Sequence, residues 1–334
     1  VKRCTRCVLP ETYPGITFDS DGVCSLCRQA ENRSALPSYD KLRGRLSELL
    51  EDCKSVKRRY DALVAFSGGK DSTFLIHTLK EKYGLSLLAC TFDNGYMSEA
   101  SFRNMRTVLN AMDVDHLIVK PRADIMNKIF LGSSEPGIYP PHLTGFGSGI
   151  CISCIRMVTT MSLRVAIEKG IPLVMLGNSP GQLIQSENEI IFQDNKIPYE
   201  LRKNLFRPLA DRLGEDVYDY VMLNKEEYRT RPFPYTVNAF PLIGYDERNI
   251  YDTISSLGWV RPEDVDPNSS NCRLNSLGIV KHLEHYGFHP YDYEMSLLVQ
   301  QGIITREEAL RRVEDPAETT LTLSEEVEKS LMSS

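Results

Sequence analysis

Ala62-Leu63-Val64-Ala65-Phe66-Ser67-Gly68-Gly69-Lys70-Asp71-Ser72 is the stretch on which the fold turns. Five apolar residues read as a buried strand. Phe74, Leu75, Ile76 and Leu79 then follow at helical spacing. Between them lies a turn with two adjacent glycines, which let the backbone come close to an anion. The free N–H groups of the first helical turn point at that anion, and the helix dipole favours it. Lys70 adds a positive charge, Ser67 and Ser72 add hydroxyls, and Asp71 is placed to hold magnesium against a phosphate. The expected feature is a pyrophosphate cradle. It is not a Walker A loop, which needs four residues between its first glycine and the Gly-Lys pair.

Outward from this loop the chain alternates strand and helix. Strands are expected at 86–92, 116–119 and 172–176, with helices from about 72, from Ser98 and over 122–130. That rhythm predicts an α/β fold with a doubly wound parallel sheet, in which ligands bind at the carboxyl ends of the strands. The same rim should then carry Ser67 to Ser72, Thr91 to Asn94, and Gly177 to Gln182. The Gly/Pro-rich stretch 131–149 reads as a lid or a disordered insertion.

The N-terminus has its own signature. Cys4-x-x-Cys7 and Cys24-x-x-Cys27 are separated by 16 residues, a zinc-ribbon spacing. Four thiolates fill a tetrahedral zinc site, so the role is structural; an iron–sulfur cluster is the weaker alternative. A second group is less explicit. Cys151 and Cys154 share one helix face, Arg156 stands close enough to lower their pKa values, and Cys272 lies in a distant turn. Three cysteines would leave one iron of a 4Fe–4S cluster open. A zinc site completed by His142 or water, and a metal-free pair, are the alternatives. Cys53 and Cys90 read as packed residues.

The chain has 334 residues, 42% hydrophobic and 25% charged, with net charge −6. It contains nine cysteines. These values fit a globular protein and argue against a broad nucleic-acid face, although a local basic patch would still admit tRNA. The dense basic cluster Lys54, Lys57, Arg58 and Arg59 reads as a solvated helix end. No apolar run long enough for a membrane span and no secretory signal are recognised, so a cytoplasmic location is expected. The chain divides into a zinc ribbon (1–30), a linker helix (31–60), a nucleotide-binding domain (61–182), a helical substrate region (183–314) and a charged tail (315–334). Four tyrosines and three arginines between 228 and 251 suit a sugar or nucleotide ligand.

Ser67-Gly68-Gly69-Lys70-Asp71-Ser72 resembles the PP-loop of the ATP pyrophosphatase superfamily. The resemblance implies ATP and magnesium, adenylation of a substrate oxygen with release of pyrophosphate, and displacement of AMP by nitrogen or sulfur. It assigns catalysis to Lys70 and Asp71. It puts Phe92 and Asp93 near adenine and ribose, and Gly177 and Asn178 near the phosphates. With that loop, the ribbon, Cys4 to Pro10 with Gly15-Ile16-Thr17-Phe18-Asp19 and Gly22 to Cys27, makes the chain as a whole most similar to the N-acetyl sugar amidotransferases, with iron–sulfur thiolation the alternative. This implies a small sugar substrate and ammonia from a partner glutaminase or another source. The late strings Gly287-Phe288 and Thr305 to Ala309 are also similar. The second cysteine group instead resembles the iron–sulfur tRNA thiolation enzymes, and under that reading tRNA is the partner. No oligomeric state is legible; a homodimer is carried as an expectation.

Overall fold

The computed structural model describes residues 1–32, 39–183 and 189–333. In chain order the ribbon leads into α1 (Ser25–Asn32) and α2 (Asp40–Ser55). The alternating segment follows as β1 (Ala62–Ala65), α3 (Lys70–Glu81), β2 (Leu87–Phe92), α4 (Glu99–Met112), β3 (Asp115–Val119) and α5 (Ala123–Ser134). It continues through α6 (Pro141–Thr144), α7 (Gly149–Lys169) and β4 (Leu173–Leu176). Beyond it come β5 (Ile191–Phe192), α8 (Tyr199–Leu213), α9 (Tyr218–Val221), α10 (Lys225–Arg229), β6 (Tyr235–Asn238), α11 (Phe240–Ile243) and α12 (Glu247–Ser256). The chain closes with α13 (Leu274–Tyr286), α14 (Asp292–Gln300), α15 (Arg306–Arg312) and α16 (Glu318–Met332).

The sheet order is β3-β2-β1-β4-β6-β5. Every pairing is parallel except β5 with β6. The order reverses between β1 and β4, which opens a crevice at their carboxyl ends. The central strands are buried on both faces because alternate residues serve two layers. Ala62 and Val64 pack with Leu75, Ile76 and Leu79 of α3, Val108 of α4, and Ile250 and Ile254 of α12. Leu63 turns to the other face, against Leu163, Val165 and Ala166 of α7. Full burial of a Leu or Ile contributes roughly 1.5–3 kcal/mol, so Leu75 alone would cost about 2–5 kcal/mol if cut to Ala.

Three expectations change here. The sheet takes β5 and β6 from beyond residue 182, so the helical region is threaded through by two strands. The final segment is a helix and not a loose tail. Thr320, Ser324, Val327 and Leu331 form a buried face on α16, which packs on α13. Dense Glu and Lys on the outer face had masked that stripe. Residues 131–149 are packed connection rather than a lid: α5 runs on to Ser134, Ile138 and Tyr139 are buried, and Tyr139 bonds Ser153 at 2.5 Å. Gly149 sits where an added Cβ would meet the Ser133 carbonyl at 2.0 Å.

Helix α7 is long and apolar enough to cross a membrane by length and composition, a property the sequence reading had missed. More than half of that apolar window is buried inside the fold.

Candidate active site

The glycine loop forms as expected, with α3 beginning at Lys70 rather than near 72. Gly68 has φ +70°, and an added Cβ would lie 2.9 Å from the Ser101 carbonyl. Both conformation and space therefore require glycine there. The Trp259 indole N–H donates to the Gly68 carbonyl at 2.9 Å and pins the turn. Gly69 N–H donates to Ser67 Oγ at 3.3 Å, and the Ser67 and Ser72 hydroxyls lie 3.2 Å apart. These contacts tighten the loop around the α3 N-terminus.

Lys70 reaches into a cavity of about 630 Å³ over this rim, in the size range of small-molecule sites. Its ammonium donates to Asp71 at 2.8 Å and to the Tyr245 hydroxyl at 2.6 Å, and stands 3.3 Å from Glu247. Burial works against its charge, but Asp71, Tyr245 and Glu247 outweigh it and hold Lys70 above the ordinary lysine range. Lys70 is thus a fixed cation, suited to a phosphate. Asp71 carries the carboxylate oxygens a magnesium ion prefers, while Glu247 is taken up by Arg312, at 2.6 and 3.3 Å. Tyr245 and Tyr251 both line the cavity.

Gly177 stands against the first turn of α3, where an added Cβ would meet Ser72 N at 3.2 Å. Asn178 donates to Asn238 at the end of β6, 2.7 Å away. Asp93 pairs with Lys120 at 3.1 Å and accepts from Gly95 N–H. Phe92 packs into an apolar cluster with Ile125, Met126 and Ile129.

Glu294 gave no signal in the sequence. It comes from α14, lines the same cavity, and accepts from the Ser179 hydroxyl at 2.5 Å. Burial lifts its carboxyl to about 7, opposed by the Ser179 hydrogen bond and by Lys70. A carboxyl poised near neutrality can take or give a proton within the site. Three residues earlier, the Tyr291 hydroxyl donates to Asn275 Oδ1 at 2.9 Å, on the side of the second cysteine group.

Cys151, Cys154 and Cys272 do come together. Ser148 caps α7 by accepting from Cys151 N–H at 3.3 Å, so both cysteines of the pair lie in its first turns. Cys272 is carried in by a bridge between Met97 and Cys272 and by Ser98 N–H donating to the Asn271 carbonyl at 2.9 Å. One amide, Asn94 Nδ2, lies 3.7 Å from Cys154 Sγ and 3.5 Å from Cys272 Sγ. Burial pushes Cys151 up to about 11 and raises Cys154 and Cys272 as well, so bare thiols are the stable form. Arg156 does not help them as expected. It is turned away into a buried pair with Asp194, at 2.9 and 3.0 Å, which Arg202 joins. His142 is exposed on α6, whereas the three thiols are half-buried. The 4.8 Å clustering of sulfurs is found at the N-terminal four and not at these three.

The segment Ser269–Cys272 joins the two halves. Ser270 Oγ accepts from Lys70 N–H at 3.3 Å, and two residues later Cys272 completes the thiol group. The anion cradle and the three sulfurs therefore share one wall.

Cys4, Cys7, Cys24 and Cys27 are all buried, with their sulfurs within 4.8 Å of one another. The Cys4–Cys27 and Cys7–Cys24 separations are 3.9 and 3.7 Å, as tetrahedral thiolate ligation of zinc demands. Sulfur hydrogen bonds from Cys24 and Cys27, with burial, hold Cys7 protonated. A dication would let all four ionise. Backbone N–H groups of Arg6, Cys24 and Cys27 and the Gln300 amide donate to the sulfurs. Arg306 donates to the Cys4 and Cys7 carbonyls at 2.9 Å, and Val8 packs against Met295 and Leu298, so the ribbon buttresses α14 and α15.

No protein-family description matches the chain. An uncharacterized protein of Methanocaldococcus jannaschii is 23% identical over 317 residues, covering 94% of each chain. Among solved structures, the chain is similar to the U34-tRNA thiolase NcsA from Methanococcus maripaludis with its 4Fe–4S cluster. The identity is 14% and the TM-score 0.38, over 99% of this chain and 89% of that one. It is also similar to NMN synthetase from Francisella tularensis, at 12% identity and TM-score 0.29, over 75% of this chain and 93% of that one. At these identities and scores the likenesses are remote.

Proposed function

We propose that this chain is a PP-loop ATP pyrophosphatase that adenylates a substrate C=O oxygen and replaces that oxygen with sulfur. The observation that carries the proposal is the shared wall. Ser270 bonds the first helical N–H of the anion cradle, and Cys272 on the same segment completes a group of three cysteines. ATP binds with its phosphates on the Ser67–Ser72 loop, and magnesium would be held by Asp71. The substrate oxygen attacks the α-phosphorus, the bond to the leaving phosphate breaks, and Lys70 with the loop amides stabilises the charge that develops on pyrophosphate. A sulfur nucleophile then bonds to the activated carbon as the C–O bond to AMP breaks. The proton it sheds passes to Glu294.

The donor set of Cys151, Cys154 and Cys272 fits a 4Fe–4S cluster, which when bound supplies an open iron for the sulfur donor. The cavity is lined by four Lys or Arg side chains and seven Asp or Glu side chains, a balance that favours a small polar substrate over a polyanion such as tRNA. The ribbon resemblance supports a second reading. There the substrate is an N-acetyl sugar, the nucleophile is ammonia from a partner, and the three thiols are structural. The proton again leaves to Glu294.

The test is the product pattern from α-labelled ATP and magnesium, offered N-acetyl sugars with ammonium, and bulk tRNA or small amides with sulfide. AMP and pyrophosphate are expected, and Lys70→Ala should abolish them while the far-ultraviolet circular dichroism stays unchanged. Formation of ADP and phosphate instead, or full turnover by Lys70→Ala, would overturn the assignment.

A further inference from the structure

Asn94 stands two residues after β2, at the carboxyl edge of the sheet, and is 5% exposed. Its Oδ1 accepts the Tyr96 backbone N–H at 2.9 Å. This Asx turn decides which way the amide faces. The opposite orientation would set the NH2 group against the Tyr96 N–H, donor against donor. The two amide hydrogens are thereby aimed at sulfur, with Cys272 at 3.5 Å and Cys154 at 3.7 Å.

These cysteines come from different elements, the first turns of α7 and the segment before α13. The turn that carries Asn94 is laced to that second segment. Arg273 N–H donates to the Tyr96 carbonyl at 3.0 Å, next to the bridge between Met97 and Cys272. The Tyr96 hydroxyl is fixed in turn on Asn127, at 2.9 Å. The nearby cation that could serve the thiolates, Arg156, is held by Asp194. Charge on these two half-buried sulfurs is therefore met by neutral N–H donors. Such donors to ligand sulfur stabilise the more reduced, more negative state of an iron–sulfur centre and raise its potential.

We propose that Asn94 is the positioning residue of the three-cysteine site, holding Cys154 and Cys272 in register and setting the reduction potential of a cluster bound there. The proposal rests on reading these cysteines as an iron–sulfur site. It adds a residue whose effect is electronic as well as steric.

The test uses the full chain, reconstituted without oxygen with ferrous iron and sulfide. Asn94→Asp keeps the oxygen that accepts from Tyr96 and so keeps the turn, but removes both donors. Asn94→Ser also caps the turn, cannot reach the sulfurs, and adds no charge. Iron per chain and the midpoint potential are read by spectroelectrochemical titration. In both variants the reduced-to-oxidised ratio at fixed potential should fall by about tenfold or more, which is about 59 mV for a one-electron couple, with Asp the larger. Iron retention should fall in the same order. Wild-type protein that binds iron, with both variants matching its iron content and potential, would overturn the role of Asn94. Wild-type protein that binds no iron would overturn the underlying reading instead, and the two failures are distinct.

Discussion

Replacing Glu294 with glutamine should make the protein more stable at pH 8 and leave it nearly unchanged at pH 5. Burial raises this carboxyl from an ordinary 4.5 to about 7. The folded state thus binds the proton more tightly than the unfolded state. Between those two values the native form holds more protons, so stability falls as pH rises. The loss begins near 4.5 and is complete above 7. At about 1.36 kcal/mol per pKa unit, the wild-type chain loses about 3 kcal/mol in total from this group. The Glu294→Gln side chain would be neutral at every pH and would keep an oxygen to accept from Ser179. The expected difference between variant and wild type is about 2–3 kcal/mol greater at pH 8 than at pH 5. Urea unfolding followed by tryptophan fluorescence at both pH values measures it, Trp259 being a buried reporter on the glycine loop. Asp292 titrates in the same direction, lifted to about 6 by burial, but it contributes equally to both proteins and cancels. An equal shift at both pH values, or a variant less stable at pH 8, would refute the view that this carboxyl is buried against its charge.

Gly68→Ala should weaken magnesium-ATP binding at least tenfold and cost about 1–3 kcal/mol of stability, since φ +70° and the Ser101 carbonyl both oppose a Cβ. Isothermal titration calorimetry checks it, and unchanged affinity would mean that the loop is no cradle. If the four N-terminal cysteines hold a metal ion, stripping it with a strong chelator should lower the melting temperature and raise hydrogen exchange in α14 and α15, because Arg306 and Val8 tie them to the ribbon. Exchange confined to residues 1–30 would show the ribbon to be an independent appendage.

The parts legible in the sequence were those whose signal is local. The strand–glycine–helix turn at 62–72 needs no distant partner to be recognised, and neither does the spacing of the first four cysteines. The parallel sheet followed from the alternation of short apolar runs with helical ones. What escaped depends on contacts far apart in the chain. Strand β6 carries an ordinary mixed sequence, and becomes a sheet member through its place beside β4. Arg156 was close to Cys154 in sequence, yet the stronger attraction of buried Asp194, 38 residues away, decides where it points. The contact of the Phe92 ring with α5 is likewise invisible in the sequence. Glu294 and Asn94 had no motif. Each matters through neighbours that only folding supplies: Ser179 and Lys70 for one, Cys154 and Cys272 for the other.

The most direct measurement is metal and sulfide content after purification without oxygen, for wild type and Cys272→Ala. About one zinc and about four irons with matching acid-labile sulfide per wild-type chain are expected, the iron lost and the zinc kept in the variant. Zinc alone in wild type would contradict sulfur insertion and leave ammonia transfer as the chemistry of this cradle.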